Sequence, residues 1–418
     1  MRTVFLGLFE VCGQYSALES GFKKNGWNTI RVDLTDNHFA YRQTHDAGIL
    51  LRLWQLFWRL KSKEPRISLN KIIYKLICES LAFLCVVSIC LRCDAVIFGY
   101  ATKFFKGNWE FYLYKLFKVK TIFIFHGTDA RPPYLSAKYR DISDSSLCEM
   151  ASISLTNIQK IESHADYLVS SPTISQFFAK PYIHSHALGM MFDSEEMISV
   201  TKSKSENKFV RKIPRVVHCP SDPKIKGSVE IRAAVAKLKS EGVKFEYIEI
   251  LNVAHKEVLE KLRDADLLID CMNSDGPIGN IGMEAGFFSV PSLVSGNASD
   301  IFSMMPVKKH LPPSIYVEPE NFYDELKRLI NDHEYRQIAG DRIRTYIDTY
   351  ISNAKIAKRY EQLITDDADE DWYLVPAMFS YCHGSLPYGE GIENMRRLSN
   401  KYSFDGYTLI LLVSSLDL

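Results

Sequence analysis

The chain lacks an excess of charge of either sign: 51 Lys and Arg stand against 50 Asp and Glu in 418 residues. Nothing global therefore attracts a polyanion, any basic surface must be local, and nucleic acid is not expected as a partner. A paired cysteine framework is also missing. The nine cysteines are odd in number and scattered, which argues against a disulfide-stapled secreted domain and for a reducing compartment. There is no internal repeat and no low-complexity tract. The turn from Gly7 to Gly13 does not match a dinucleotide glycine fingerprint, so hydride transfer finds no support. Residues 1–7 are too short and too strand-like for a signal peptide. With the cysteine usage, this leads to an expected cytoplasmic location.

What is present is ordinary globular composition, 46% hydrophobic and 24% charged, in a length that suits two domains. Strands are expected at 3–8, 29–33, 95–98, 121–125 and 167–171, with a helix at 14–25 ending at Gly26. Their alternation implies a parallel sheet covered on both faces. The polar, aperiodic residues 201–208 are the best linker candidate. A second α/β unit follows, with strands at 215–218, 245–250, 267–270, 291–294 and 314–317. Helices are expected at 228–241, 255–264 and 281–287, then at 322–331, 334–339 and 341–363. The fold class is α/β, with two Rossmann-like doubly wound domains facing across a cleft, where such folds bind ligands. The expected division is 1–200, a linker at 201–210, 211–340, a helix at 341–365 that crosses back, and a tail at 366–418. The apolar run 409–413 in that tail reads as a strand or a hydrophobic plug.

The densest signal runs from His218 to Gly296. His218, Cys219, Pro220 and Ser221 close a strand, and Lys226-Gly227 open a helix. His255 precedes another helix, and Asp266 to Asp270 form the next strand. Gly276, Gly279, Asn280, Ile281, Gly282 and Glu284 then make a glycine-rich loop running into a helix. Such a loop brings backbone N–H groups and the positive helix end to an anion. A lysine on a neighbouring loop suits a diphosphate. His255 reads as a cap or packing residue rather than a reacting one.

In order and spacing this segment resembles the nucleotide-sugar half of the group 1 (retaining, family 4) glycosyltransferases, and His218 to Gly227 resembles their polysaccharide-assembling members. The resemblance implies a glycosyltransferase-B fold and transfer of a sugar from a nucleoside diphosphate sugar to a glycan or lipid-linked acceptor. It implies no bound metal and no cofactor beyond that co-substrate. Lys226 and the Asn280 helix terminus would meet the leaving diphosphate, and Glu284 the ribose. One departure stands out. The family carries a second glutamate eight positions before the helix glutamate, and here that position is Gly276, with Asp275 as the adjacent substitute. Two rivals follow: a catalytically silent nucleotide-sugar-binding relative, and an epimerase or phosphorylase on the same fold.

In the first half, residues 122–125 run as a buried strand into His126, Asp129 and Arg131. His126 resembles the family histidine that reaches the donor sugar. Asp129 and Arg131 read as an acceptor site or as partners of each other. Glu10 and Gln14 read as contacts for the acceptor or the diphosphate. Residues 50–63 mix Trp54, Phe57 and Trp58 with Arg52, Arg59, Lys61 and Lys63. This is the pattern of an interfacial helix on anionic lipid, or of a core helix with a solvated basic edge. The lean is to peripheral membrane contact. The apolar window 72–90, interrupted by Lys75 and Glu79, is borderline for a span of roughly 20 apolar residues and is expected as a buried helix. Cys90 and Cys93, with Cys78 and Cys85, read as small apolar side chains rather than zinc ligands.

Overall fold

The computed structural model describes residues 1–35, 48–65, 68–105, 107–192, 194–201, 211–306 and 308–401. The expected linker at 201–210, beyond Thr201, and the run 409–413 lie outside them.

In chain order the strands are β1 (Thr3–Gly7), β2 (Asn28–Arg31), β3 (Ala95–Gly99), β4 (Lys120–Ile124), β5 (Tyr167–Ser170) and β6 (Tyr182–His184). Then come β7 (Arg215–His218), β8 (Glu246–Glu249), β9 (Leu267–Cys271), β10 (Ser292–Ser295), β11 (Ile315–Val317) and β12 (Tyr373–Leu374). The first sheet has the order β12-β6-β5-β4-β3-β1-β2, and the second β11-β10-β9-β7-β8. Every pairing is parallel except that of β12 with β6. All ten expected strands form, with ends shifted by no more than two residues. Their near-continuous apolar runs follow from burial on both faces. Val4 and Leu6 enter one core and Phe5 the opposite one, as the two-residue period of a strand requires.

The order of strands reverses between β1 and β3 in the first sheet and between β7 and β9 in the second. At such a switch point the connections leave in opposite directions and open a crevice beyond the strand ends. Both crevices face the same space between the sheets, and the candidate site lies there.

Three expectations change. The helix expected to end at 339 runs on through Gly340 as His333–Tyr350, and a second helix, Asn353–Ile364, follows. Gly340 is a contact position and not a break: a Cβ there would sit 2.2 Å from the Ser289 carbonyl oxygen. The break falls at Ser352, whose hydroxyl caps the second helix by accepting from Lys355 N–H. That second helix packs on Gln14–Lys24. The contact depends on Gly21, where a Cβ would lie 2.0 Å from the Asn353 carbonyl oxygen.

The window expected as a buried helix is Leu69–Arg92, and it is only half covered. Cys78, Ala82, Cys85, Val86, Ile89 and Cys90 pack inward, while Leu69, Ile72, Ile73, Leu76, Phe83, Leu84 and Leu91 are exposed. Hydropathy reports what a helix is made of, not what covers it. By length and composition this helix is long and apolar enough to cross a membrane. In the fold it pairs with Ile49–Lys63, and its inner face packs on the first sheet.

The tail, left partly unplaced by sequence, supplies β12 and a helix, Glu390–Lys401, that buries Met395 and Leu398 in the core of the first half.

Candidate active site

A cavity of about 540 Å³ lies between the two switch points. From the first sheet come residues 9–12, after β1, and Tyr100, after β3. From the second come Cys219, Pro220, Ser221 and Lys226, after β7, with His255, Asn280, Ile281 and Glu284. Its size is that of a small-molecule site. Backbone strain gathers at the strand ends around it: Cys12, Tyr100, Asn252 and Asn273 all have positive φ, a conformation non-glycine residues adopt at a cost.

Lys226 is held in the crevice by Asp270, with Nζ 2.6 Å from Oδ1. The second oxygen of Asp270 accepts from the Gly279 N–H at 2.6 Å. Burial works against the lysine charge, but the adjacent carboxylate outweighs it and holds the Lys226 pKa above its ordinary value. Gly279 is required here, since a Cβ would lie 2.8 Å from Asp270 Oδ2. Gly227, at φ +65, would push a Cβ to 2.5 Å from that of Met272. Asp270 thus ties the lysine loop to the glycine-rich turn. In the sequence Asp270 reads only as a strand end, and a carboxylate closing the run Leu-Leu-Ile is its one signal.

The helix Asn280–Phe287 begins at Gly279 without a side-chain cap. Its first amides face the cavity end, the geometry that attracts an anion. Glu284, nearly fully buried, meets His255 Nε2 at 2.9 Å through Oε1. His255 is therefore a partner of the predicted ribose-binding carboxylate, a role the sequence reading did not give it. Gly282 lies against Ile278, where a Cβ would come within 2.3 Å of Cγ1. Gly276 has no such neighbour, and its Cβ would meet nothing closer than the Ile278 oxygen at 3.7 Å.

On the first-sheet side the predicted residues divide. Gln14 reaches across the cleft, its Nε2 donating to Asn280 Oδ1 at 3.2 Å. Arg131 also crosses: its Nε donates to Asp275 Oδ2 at 2.6 Å. Arg131 and Asp129 are therefore not each other's hydrogen-bond partners. Asp129 accepts from the N–H groups of His126 and Gly127 and so shapes its own turn. Burial lifts its pKa to about 6, against those hydrogen bonds. Glu10 lines the cavity, but its oxygens accept from the N–H groups of Val11, Tyr15 and Ser16 and from Arg31. It staples the start of the first helix. His126 is not part of the cavity lining. It meets Tyr15 Oη at 3.0 Å, and burial lowers its pKa to about 4.

The chain does contain Asp-x-Asp triplets, at 264–266, 367–369 and 369–371, and none of them lines the cavity. Asp266, for example, accepts from the Arg215 N–H at 2.8 Å.

Two Rossmann-like domains with opposed switch points make this a fold of the glycosyltransferase-B type. No family model matches the chain, and no curated protein matches it. Among solved structures it is similar to the catalytic domain of starch synthase IV from Arabidopsis thaliana bound to ADP and acarbose. That match has 11% identity, covers 88% of this chain and 99% of that one, and has a TM-score of 0.48. Anabaena HepE in complex with UDP-glucose matches at 11% identity over 88% of this chain and 100% of that one, with a TM-score of 0.44. An alpha-glucosyltransferase in complex with UDP-glucose and DNA containing an abasic site matches at 11% identity, over 87% and 99% of the two chains, with a TM-score of 0.46.

Proposed function

We propose that the chain is a retaining glycosyltransferase. It moves a sugar from a nucleoside diphosphate sugar to a glycan or lipid-linked acceptor in cell-surface polysaccharide assembly, at the inner face of a membrane. The observation that carries this reading is the convergence of Lys226, Glu284 and the Asn280 helix terminus on one cavity between the switch points. Breaking a sugar–phosphate bond leaves negative charge on the nucleoside diphosphate, and fixed positive charge and N–H donors lower that barrier. Lys226 and the helix terminus supply both. Asp270 keeps the lysine charged and in place until a diphosphate arrives. Glu284, oriented by His255, takes the ribose hydroxyls. His126, neutral near pH 7 and outside the cavity lining against Tyr15, reaches the sugar end only once the cleft closes, as a hydrogen-bonding group rather than a cation. Cleft closure, anchored by Arg131–Asp275 and Gln14–Asn280, keeps water from the donor.

A second reading, binding without turnover, is favoured by one observation. Asp275, the substitute for the absent glutamate at 276, is engaged by Arg131.

The test is a thermal-shift panel of UDP, GDP, ADP and CMP on the wild type and on Lys226→Ala/Glu284→Ala, followed by donor hydrolysis without acceptor. Stabilisation by one diphosphate that the double variant loses is the expected result. No shift with any nucleotide on folded protein removes the donor site. A shift with neither hydrolysis nor transfer to any acceptor selects the second reading.

A further inference from the structure

A second cavity, of about 640 Å³, lies between the helical pair Ile49–Lys63/Leu69–Arg92 and the first sheet. Its walls are aromatic: Trp54 stands 4.8 Å from Phe104 between ring centroids, and Trp58 stands 6.2 Å from Phe9. Lys61, Lys75 and Lys103 also line it, against one carboxylate, Glu79. Lys61 Nζ lies 3.9 Å from the Cys78 sulfur. Lys75 has only a loose approach to Glu79, also at 3.9 Å. The indole N–H of Trp54, a buried residue of this wall, has only the weak acceptor of the Cys78 thiol within reach.

The groove adjoins the candidate active site along three strand ends. Phe9, after β1, lines both cavities. After β2, Leu34 lines the groove and Thr35 the active-site cavity. After β3, Ala101 lines the groove and Tyr100 the active-site cavity. At the other side stands the exposed apolar stripe of Leu69–Arg92, continued by Tyr112, Leu116 and Phe117 on and after the helix Trp109–Leu116. The charges around that surface are mostly basic: Arg52, Arg59, Lys63, Arg92, Lys115 and Lys118.

We infer that this groove binds a lipid phosphate, a long apolar chain ending in phosphate, and presents that end to the active site. An apolar chain fits the aromatic walls, and Lys61 and Lys75 fit an anionic head, while Lys103 Nζ donates to the Gly107 carbonyl oxygen and Asn108 Oδ1. The exposed stripe is the side from which a chain leaves a bilayer, with basic residues set for anionic lipid. The proposal rests on the glycosyl-transfer reading for its purpose but not for its chemistry, because the site takes a different ligand.

The experiment measures equilibrium binding of radiolabelled farnesyl phosphate to the full chain, with farnesol, inorganic phosphate and phosphatidylglycerol vesicles as the other arms. Farnesyl phosphate is expected to bind at least about tenfold more tightly than farnesol or phosphate, roughly 1.4 kcal/mol for each factor of ten. Lys61→Glu/Lys75→Glu is expected to lose about tenfold, and Ala82→Trp, which fills the groove, to abolish binding. Arg59→Glu, on the exposed edge, should lower vesicle binding only. Nucleotide thermal shifts on the same proteins report folding and keep the two sites apart. Farnesol binding as well as farnesyl phosphate overturns the proposal. So does an equal loss in Arg59→Glu, which indicates a general membrane surface. Farnesyl phosphate binding without any nucleotide shift leaves the groove standing and removes the glycosyl-transfer reading.

Discussion

In the second half of the chain, charged side chains at the strand ends hold one another within reach of the cavity. Lys226 rests on Asp270, and His255 on Glu284. In the first half the equivalent groups are spent on the backbone. Glu10 takes the N–H group of Val11 and two of the first helix turn, Asp129 takes two of its own turn, and Glu110 takes those of Phe104 and Phe105. A pair of side chains can exchange a partner for a ligand without disturbing the fold. A carboxylate that caps a turn cannot. The second half is therefore built to receive charge, and the first half to hold a shape against which something else is placed.

The sharpest break of this comparison is Lys226→Met. If Lys226 and Asp270 are mutual partners, the substitution strands a carboxylate that is almost fully buried. The expected loss of stability is about 3 kcal/mol, together with loss of nucleotide-induced stabilisation. Adding Asp270→Leu should restore much of the stability and none of the binding. Chemical denaturation of the four proteins of this cycle checks both parts. Recovery of nucleotide binding in the double variant would show that the anion site does not depend on the lysine.

Glu10→Gln is the counterpart in the first half. It keeps an acceptor but removes the charge that meets Arg31 and three N–H groups, for an expected loss of about 2 kcal/mol. Nucleotide thermal shifts should remain. If instead stability holds and nucleotide response disappears, Glu10 belongs to the ligand, and the two halves use their carboxylates alike.

How much of this was legible in the sequence follows the same division. The strands were legible because burial on both faces leaves continuous apolar runs. That Lys226, Gly279 and Glu284 fall around one cavity was legible from the order of a cation, a glycine turn and a helix start along the chain. Asp270 was overlooked because a carboxylate closing a strand has many uses, and only the fold brings it to Lys226. Arg131–Asp275 joins residues 144 positions apart, and no local pattern announces such a pair. The surplus of apolar surface on Leu69–Arg92 was misread because composition does not say which side is covered. In Ile49–Lys63 the pattern assigned no face, and the fold does: Trp54 turns inward, and Leu53 and Leu56 turn outward.

A third carboxylate sharpens the picture through pH. Burial raises the Glu110 pKa to about 7, only partly offset by the Phe104 and Phe105 N–H groups and by Lys103. The folded state therefore binds more protons than the unfolded chain between the ordinary carboxyl value, 4.5, and about 7. Over that window the group's contribution must fall as pH rises. Its share of the loss is roughly 2–3 kcal/mol. Glu110→Gln should flatten that part of a Tm-against-pH curve between pH 5 and 8. His126, neutral throughout that range, should add nothing above pH 7. A curve unchanged by the substitution would mean that Glu110 is ionised in its pocket and paired more strongly than its backbone contacts imply.

The smallest expected effect addresses the departure itself. At Gly276 the backbone is not in a glycine-only conformation, and a Cβ would meet only the Ile278 oxygen at ordinary contact distance. Gly276→Glu should therefore change stability by no more than about 0.5 kcal/mol. A side chain there starts at the loop beside Asp275 and competes with it for Arg131 across the cleft. If the chain is an enzyme that has shifted its sugar contact to Asp275, the added glutamate should disturb turnover more than nucleotide binding. If the chain binds nucleotide sugar without turnover because that contact is missing, the same substitution should bring donor hydrolysis from nothing to a measurable rate. The two outcomes have opposite signs in one assay. A large loss of stability would instead show that the loop at 276 is closed by contacts its geometry does not suggest.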